Sequence, residues 1–123
     1  MTETHHTSAA KLIALAAGPI YQAIDKADPC TFGEVFATDG RIVKFDLQVL
    51  EDDQQFFAAY NPAVSVRSGV LEQNPQIADV LAPVSEALTD EALQALNAEL
   101  DVEGGDEATI ANDWLLAEGF ISE

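Results

Sequence analysis

The hydrophobic pattern of this chain changes its period along the length, and that change limits what the chain can fold into. Val43, Phe45, Leu47 and Val49 alternate with Lys44, Asp46 and Gln48, a period of two that predicts a half-buried strand. Residues 63–67 alternate again and read as a second strand. From Asn74 onward the spacing turns helical. Asn74 as N-cap and Pro75 at the first position open a helix carrying Ile77, Val80, Leu81, Val84 and Leu88. Pro83 falls inside it and predicts a kink or a division into two short helices. Thr89 caps the next helix, with Asp90 and Glu91 in its positive first turn and Leu93, Leu96 and Leu100 as its buried stripe. Gly104-Gly105 breaks the chain, and Asp106 caps a last helix whose Ile110, Trp114 and Leu115 face inward. Gly119 is its C-terminal stop.

The first half carries weaker signals. Residues 1–8 are polar and read as a frayed tail, and residues 9–17 are helix-prone in composition without an orienting apolar stripe. Pro19 suits the first position of a short helix over residues 20–26, and Asp28-Pro29 marks a turn. Val35 and Phe36 form a short strand leading into Thr38-Asp39-Gly40, where the Gly supplies the positive φ that such a turn often needs. Asp52 and Asp53 are placed to cap a brief helical turn over residues 54–57. Strands followed by helices give an α/β class.

Composition excludes several functions. A chain of 123 residues allows one compact domain. Five Lys+Arg against 22 Asp+Glu, a formal charge of −17, exclude nucleic-acid binding by phosphate neutralisation and a basic membrane patch. The acids are spread along the whole chain, which is the pattern of a solvated surface; attraction of a cationic ligand is the functional alternative. The longest apolar run, residues 12–17, is far short of the ~20 residues of a spanning helix. Its flanks lack the basic region and cleavage site of a signal peptide. Cys30 is the only cysteine, so it reads as a buried or half-buried thiol with no disulfide partner in the chain. His5 and His6 have no third ligand nearby, so no metal is expected. With no nucleophile–base pair and no Gly-rich phosphate loop, the chain reads as neither an enzyme nor a cofactor protein.

Several short motifs stand in a fixed order: Phe36, Thr38-Asp39-Gly40-Arg41-Ile42, Leu50-Glu51-Asp52-Asp53 and Tyr60-Asn61-Pro62. Val66-Arg67, Asn74-Pro75, Leu88-Thr89-Asp90-Glu91, Leu96-Asn97, Asp101-Val102-Glu103-Gly104, Trp114-Leu115 and Glu118-Gly119-Phe120-Ile121 follow. In order and gaps this text resembles the C-terminal part of the substrate-binding proteins that feed glycine betaine, choline and related compatible solutes to ABC importers. The resemblance runs from near Ile20 to the end.

What the resemblance implies is an incomplete, C-terminal part of a bilobed, periplasmic-binding-protein-like (type 2) α/β fold. Residues 1–16 would be a poorly ordered or helical lead, 17–59 the end of one lobe with a hinge strand, and 60–123 the C-terminal strand and helices of the other lobe. The implied ligand is a small quaternary ammonium compound, the implied partner an ABC transporter permease, and the implied location of the parent family extracytoplasmic. A quaternary ammonium donates no hydrogen bonds, so aromatic faces suit it, each contributing roughly 0.5–2 kcal/mol once desolvated. Phe36 and Tyr60, 24 positions apart, match the two downstream aromatics of the family's cage, although the first is commonly Tyr. Thr38 and Asp39 are candidate ligand contacts beside a turn-stabilising role, and Arg67 is placed nearer the ligand than Arg41. Apolar residues that normally meet the rest of the fold would favour self-association. An acidic protein-interaction module without ligand binding is the competing reading.

Overall fold

The computed structural model describes residues 9–58 and 62–122, and among these there are six helices and no strand. They are α1 (Ala17–Asp25), α2 (Arg41–Lys44), α3 (Ser68–Gln73), α4 (Gln76–Ala87), α5 (Asp90–Asp101) and α6 (Glu107–Ala117). Helix α5 is the centre of the packing, with α2 against one side and α6 against another, while α3 packs on α4.

The helices of the second half form where caps and apolar spacing place them. The Thr89 hydroxyl accepts from the Ala92 amide at 3.2 Å, and the Asp106 carboxylate accepts from the Thr109 amide at 2.9 Å. Each satisfies an amide that the first turn of a helix leaves without a carbonyl. At the other end of α6, Gly119 takes φ 75°; its amide bonds to the Leu116 carbonyl and that of Phe120 to the Leu115 carbonyl. That paired closure is a Schellman motif, and it returns Phe120 to within 5.8 Å of the Trp114 ring. Trp114 is half-buried there. Thr89→Ala is expected to cost about 1 kcal/mol by removing the α5 cap, read as a lower urea midpoint with an unchanged slope.

Three helical expectations need correction. Residues 9–16 hold no helix. Pro19 lies in the first turn of α1, and extending the helix backwards would drive its ring into the carbonyl four residues earlier. Pro83 sits inside a single continuous α4 and does not divide it. Asn74 does not cap α4 with its side chain; its amide group donates back to the Val70 carbonyl and closes α3. On α4, Ile77, Leu81 and Val84 are half-buried, whereas Val80 is 66% exposed.

The α/β class is corrected as well, because the three expected strands are absent. The Asp39 carboxylate accepts from the Arg41 amide at 2.9 Å and its carbonyl from the Ile42 amide at 3.0 Å, so a helical turn starts where alternation predicted extended chain. The turn ends in a second Schellman closure. Asp46 at φ 50° donates to Val43, and Leu47 donates to Ile42. Local capping therefore overrides the period-two pattern. Residues 35–36 and 62–67 are non-helical and unpaired; a strand is stabilised by its neighbours, and none lies beside them among the described residues. A turn at residues 53–54, with Gln55 at φ 52° after it, stands in place of the helical turn expected over residues 54–57.

The core is thin. Its buried apolar residues are Tyr21, Ala23, Ile42 and Ala98. The chain exposes 9522 Å², where a compact monomer of 13.2 kDa exposes about 6,400 Å². Pro62, Ala63, Val64 and Val66 line an open apolar groove of about 470 Å³ together with Leu71 of α3 and Ile77 and Leu81 of α4.

Candidate functional site

The best-organised part of the molecule is the junction of α1, α2 and α5. Asp39 precedes α2 and meets Arg41 in a bidentate pair, Nε to Oδ1 at 2.8 Å and Nη2 to Oδ2 at 2.9 Å. With the Arg41 amide also on Oδ1, one carboxylate takes three bonds from one residue. The fork geometry of a guanidinium makes this a strong, directional contact. The Arg41 guanidinium then lies over the Tyr21 ring at 4.7 Å from its centre, a cation–π contact. Tyr21 is 1% exposed and is the largest fully buried side chain described.

Helix α5 holds the same loop from the other side. The Gln94 side-chain amide donates to the Ala37 carbonyl, and the Asn97 amide donates to the Thr38 carbonyl at 2.7 Å. Gly40 is buried against the α5 backbone, where a Cβ would stand 2.4 Å from the Ala98 nitrogen. Gly40 takes φ −61°, not the positive φ expected of it; the close approach to α5 is what requires a residue without a side chain.

The electrostatics follow from this packing. Burial first, then the nearby Asp39 carboxylate, push the Tyr21 phenol up to about 12. The hydroxyl is close enough to Asp39 to feel its charge, but it completes no hydrogen bond of good geometry among the described residues. For Asp39, partial burial works against ionisation, but the bonds from Arg41 outweigh it and hold the carboxyl below its usual range. The signs follow by linkage. The Asp39 contribution is complete above the ordinary Asp value and is lost as pH falls below about 4. The Tyr21 contribution is complete below pH 10.0 and is lost as pH rises towards 12. In a Tyr60→Phe background, which leaves Tyr21 as the only tyrosine, the phenolate absorbance is expected to appear only above pH 11. A midpoint near 10 would mean that Tyr21 is solvated.

The expected site residues divide. Phe36 stands at the start of the clamped loop, 64% exposed, with its carbonyl accepting from the Asp39 amide at 3.1 Å. Thr38 and Asp39 are half-buried, one held by its carbonyl and the other by its carboxylate. Tyr60 lies outside the described residues, as do His5 and His6. Arg67, expected near ligand, is exposed at the N-terminus of α3; Arg41 is the arginine at the clamped loop. Asp52 accepts from the Phe57 amide at 2.7 Å, the work of a turn. Cys30 is half-buried and free. No group of three metal-binding side chains occurs among the described residues, and no described helix is long and apolar enough to cross a membrane.

Sequence reasoning gave no role to Tyr21, Gln94 or Asn97. A signal existed for Asn97: it lies four residues after Leu93 and three before Leu100, on the apolar stripe of α5, where a polar group needs a buried partner. Tyr21 carried no comparable signal.

Comparison with known proteins agrees with this chain over most of its length. Residues 1–117 match the family model OpuAC, the substrate binding domain of the ABC-type glycine betaine transport system. The chain is 39% identical over 99 residues to a glycine-betaine-binding protein of Pseudomonas aeruginosa, covering 80% of this chain and 32% of that protein. It is 38% identical over 114 residues to the glycine betaine-binding protein YehZ of Escherichia coli, covering 89% and 37%. The chain thus spans about a third of the length of these relatives. Its fold matches part of the crystal structure of a glycine betaine/carnitine/choline ABC transporter with a TM-score of 0.78 at 24% identity, covering 97% of this chain and 43% of the other. The family is one of transporter binding proteins and not of enzymes. With the family model matching nearly the whole chain, this protein belongs to the family of substrate-binding domains of ABC-type glycine betaine transport systems.

Proposed function

We propose that this chain supplies part of a quaternary-ammonium site in a binding protein that serves an ABC importer, with Phe36 and Tyr60 as aromatic faces. The observation that carries the reading is Phe36. A large aromatic ring is 64% exposed at the start of a loop that Arg41, Gln94 and Asn97 hold in place. A ring exposed on a held loop is preorganised, so less ordering is lost when a ligand arrives. Thr38 and Asp39 serve this site by holding the loop: the Asp39 carboxylate is engaged by Arg41 and the Thr38 carbonyl by Asn97. The net charge of −17 favours approach of a cation. The ligand class is glycine betaine, choline or a related solute, the partner an ABC permease, and the place of action outside the cytoplasmic membrane. The apolar residues left exposed, Leu50 and Val64 among them, favour self-association of the isolated chain.

Two aromatic faces are a partial cage. The isolated chain is therefore expected to bind choline or glycine betaine no more tightly than the millimolar range, about −4 kcal/mol. Nuclear magnetic resonance titration with choline tests this, with shifts expected at the Phe36 and Tyr60 rings. Micromolar affinity would show that the site is complete within this chain. No change at either ring up to 100-fold ligand excess at millimolar protein would remove the cage reading and favour an acidic interaction module.

A further inference from the structure

We infer that Asn97 of α5, seconded by Gln94, is a positioning residue for the quaternary-ammonium site, setting the orientation of Phe36 through the backbone of residues 37–40. The inference rests on the proposed cage reading and adds to it a residue outside the cage. Asn97 acts on the loop that carries Phe36. Its side-chain amide donates to the Thr38 carbonyl at 2.7 Å, and Gln94, one turn earlier on the same helix, donates to the Ala37 carbonyl. These are contacts between residues 59 and 57 positions apart. They tie the loop to the helix that organises the packing.

The remaining contacts leave the loop little freedom. Gly40 is buried against the backbone of Ala98, the residue next to Asn97. Asp39 is locked to Arg41, and Arg41 rests on the buried Tyr21 ring. The Asp39 amide donates to the Phe36 carbonyl, so a shift of the loop reaches Phe36 through one hydrogen bond. A carbonyl can accept bonds from water instead, so losing the Asn97 donor need not unfold the loop. It removes the tether that selects one loop position. Phe36 is largely solvent-exposed and has little packing of its own to restore that position.

Asn97→Asp is the informative substitution. It keeps the shape of the side chain, but an ionised carboxylate has no proton to donate and repels the Thr38 carbonyl. Choline is titrated into the full chain at pH 7, with affinity read from saturation transfer to its N-methyl protons and stability read separately by urea melting. The expected result is a threefold to tenfold weaker affinity, measured well below the melting transition where every molecule is folded. The amide of Asp39 should also lose exchange protection while those of α5 keep theirs. In a Phe36→Leu background the same substitution should change affinity by less than twofold, because nothing aromatic remains to be aimed.

An equal loss in both backgrounds, or a loss of stability with unchanged affinity, overturns the inference and leaves Asn97 a structural residue. Asn97→Asp binding like the parent chain, while Phe36→Leu weakens binding, overturns the positioning role alone. Phe36→Leu binding like the parent chain overturns the cage reading and the positioning role together.

Discussion

Replacing Gly40 by Ala is expected to destabilise the chain by about 3 kcal/mol or more, at the upper end of what overpacking costs. The added methyl would stand 2.4 Å from the Ala98 nitrogen and 2.6 Å from its Cα. Those atoms are helical backbone of α5, so neither can swing aside as a side chain could. Relief requires α2 and α5 to separate, and with them the Asn97–Thr38 and Gln94–Ala37 bonds that join the loop to the helix. Ile42 of α2, one of four buried apolar residues among those described, would become more exposed in the same movement. Gly69→Ala is the matched control. It lies in α3 with nothing within 4 Å of the added Cβ, so it should be neutral or stabilise by up to about 1 kcal/mol through helix propensity. Urea melting of both variants decides the point. A Gly40→Ala chain as stable as its parent would show that the loop does not rest on α5.

The second large effect is on ligand affinity, and it is measured best where the whole cage is present. In a complete family member carrying this segment in place of its own, Tyr60→Ala is expected to weaken glycine betaine or choline binding about tenfold, roughly 1–2 kcal/mol, by removing one aromatic face. Tyr60→Phe should cost less, because the face remains and only the hydroxyl goes. Phe36→Tyr should be neutral or should improve affinity, since the ring face remains and a hydroxyl able to orient the ligand is added. Phe36→Leu should weaken binding with the fold intact, because an exposed residue of similar apolarity replaces another. Isothermal calorimetry of the series reads all four. If Phe36→Leu and Tyr60→Leu both bind like the parent, the aromatics do not face the ligand, and the cage assignment fails.

Phe36 and Gly40 belong to one loop, and Asp39 lies between them. Asp39 is the carboxylate that a search for a cation partner would choose. Its three bonds from Arg41 hold the loop. A cation recognised by ring faces needs no carboxylate at its centre, and a carboxylate already chelated cannot be freed without losing the pair.

Much of the second half was legible from its residues alone. Thr89, Asp106 and Gly119 do their work within five residues of themselves, through bonds that depend on local geometry. The helices they bound are therefore found where their signals lie. The motif order was legible too, and it identified the family before any fold was known. Alternation at residues 43–49 misled because a period of two describes a strand only when a neighbouring strand is there to pair with it. Here the Asp39 cap and the Asp46 turn supplied a local helix instead. The roles of Tyr21, Gln94 and Asn97 and the need for glycine at position 40 were decided by the tertiary structure. Each depends on residues distant along the chain: Gln94, Asn97 and Gly40 act where the loop meets α5, nearly sixty positions away, and Tyr21 lies under Arg41. No local pattern encodes such a meeting, because hydrogen bonds and steric fit at that range exist only once the helices have packed.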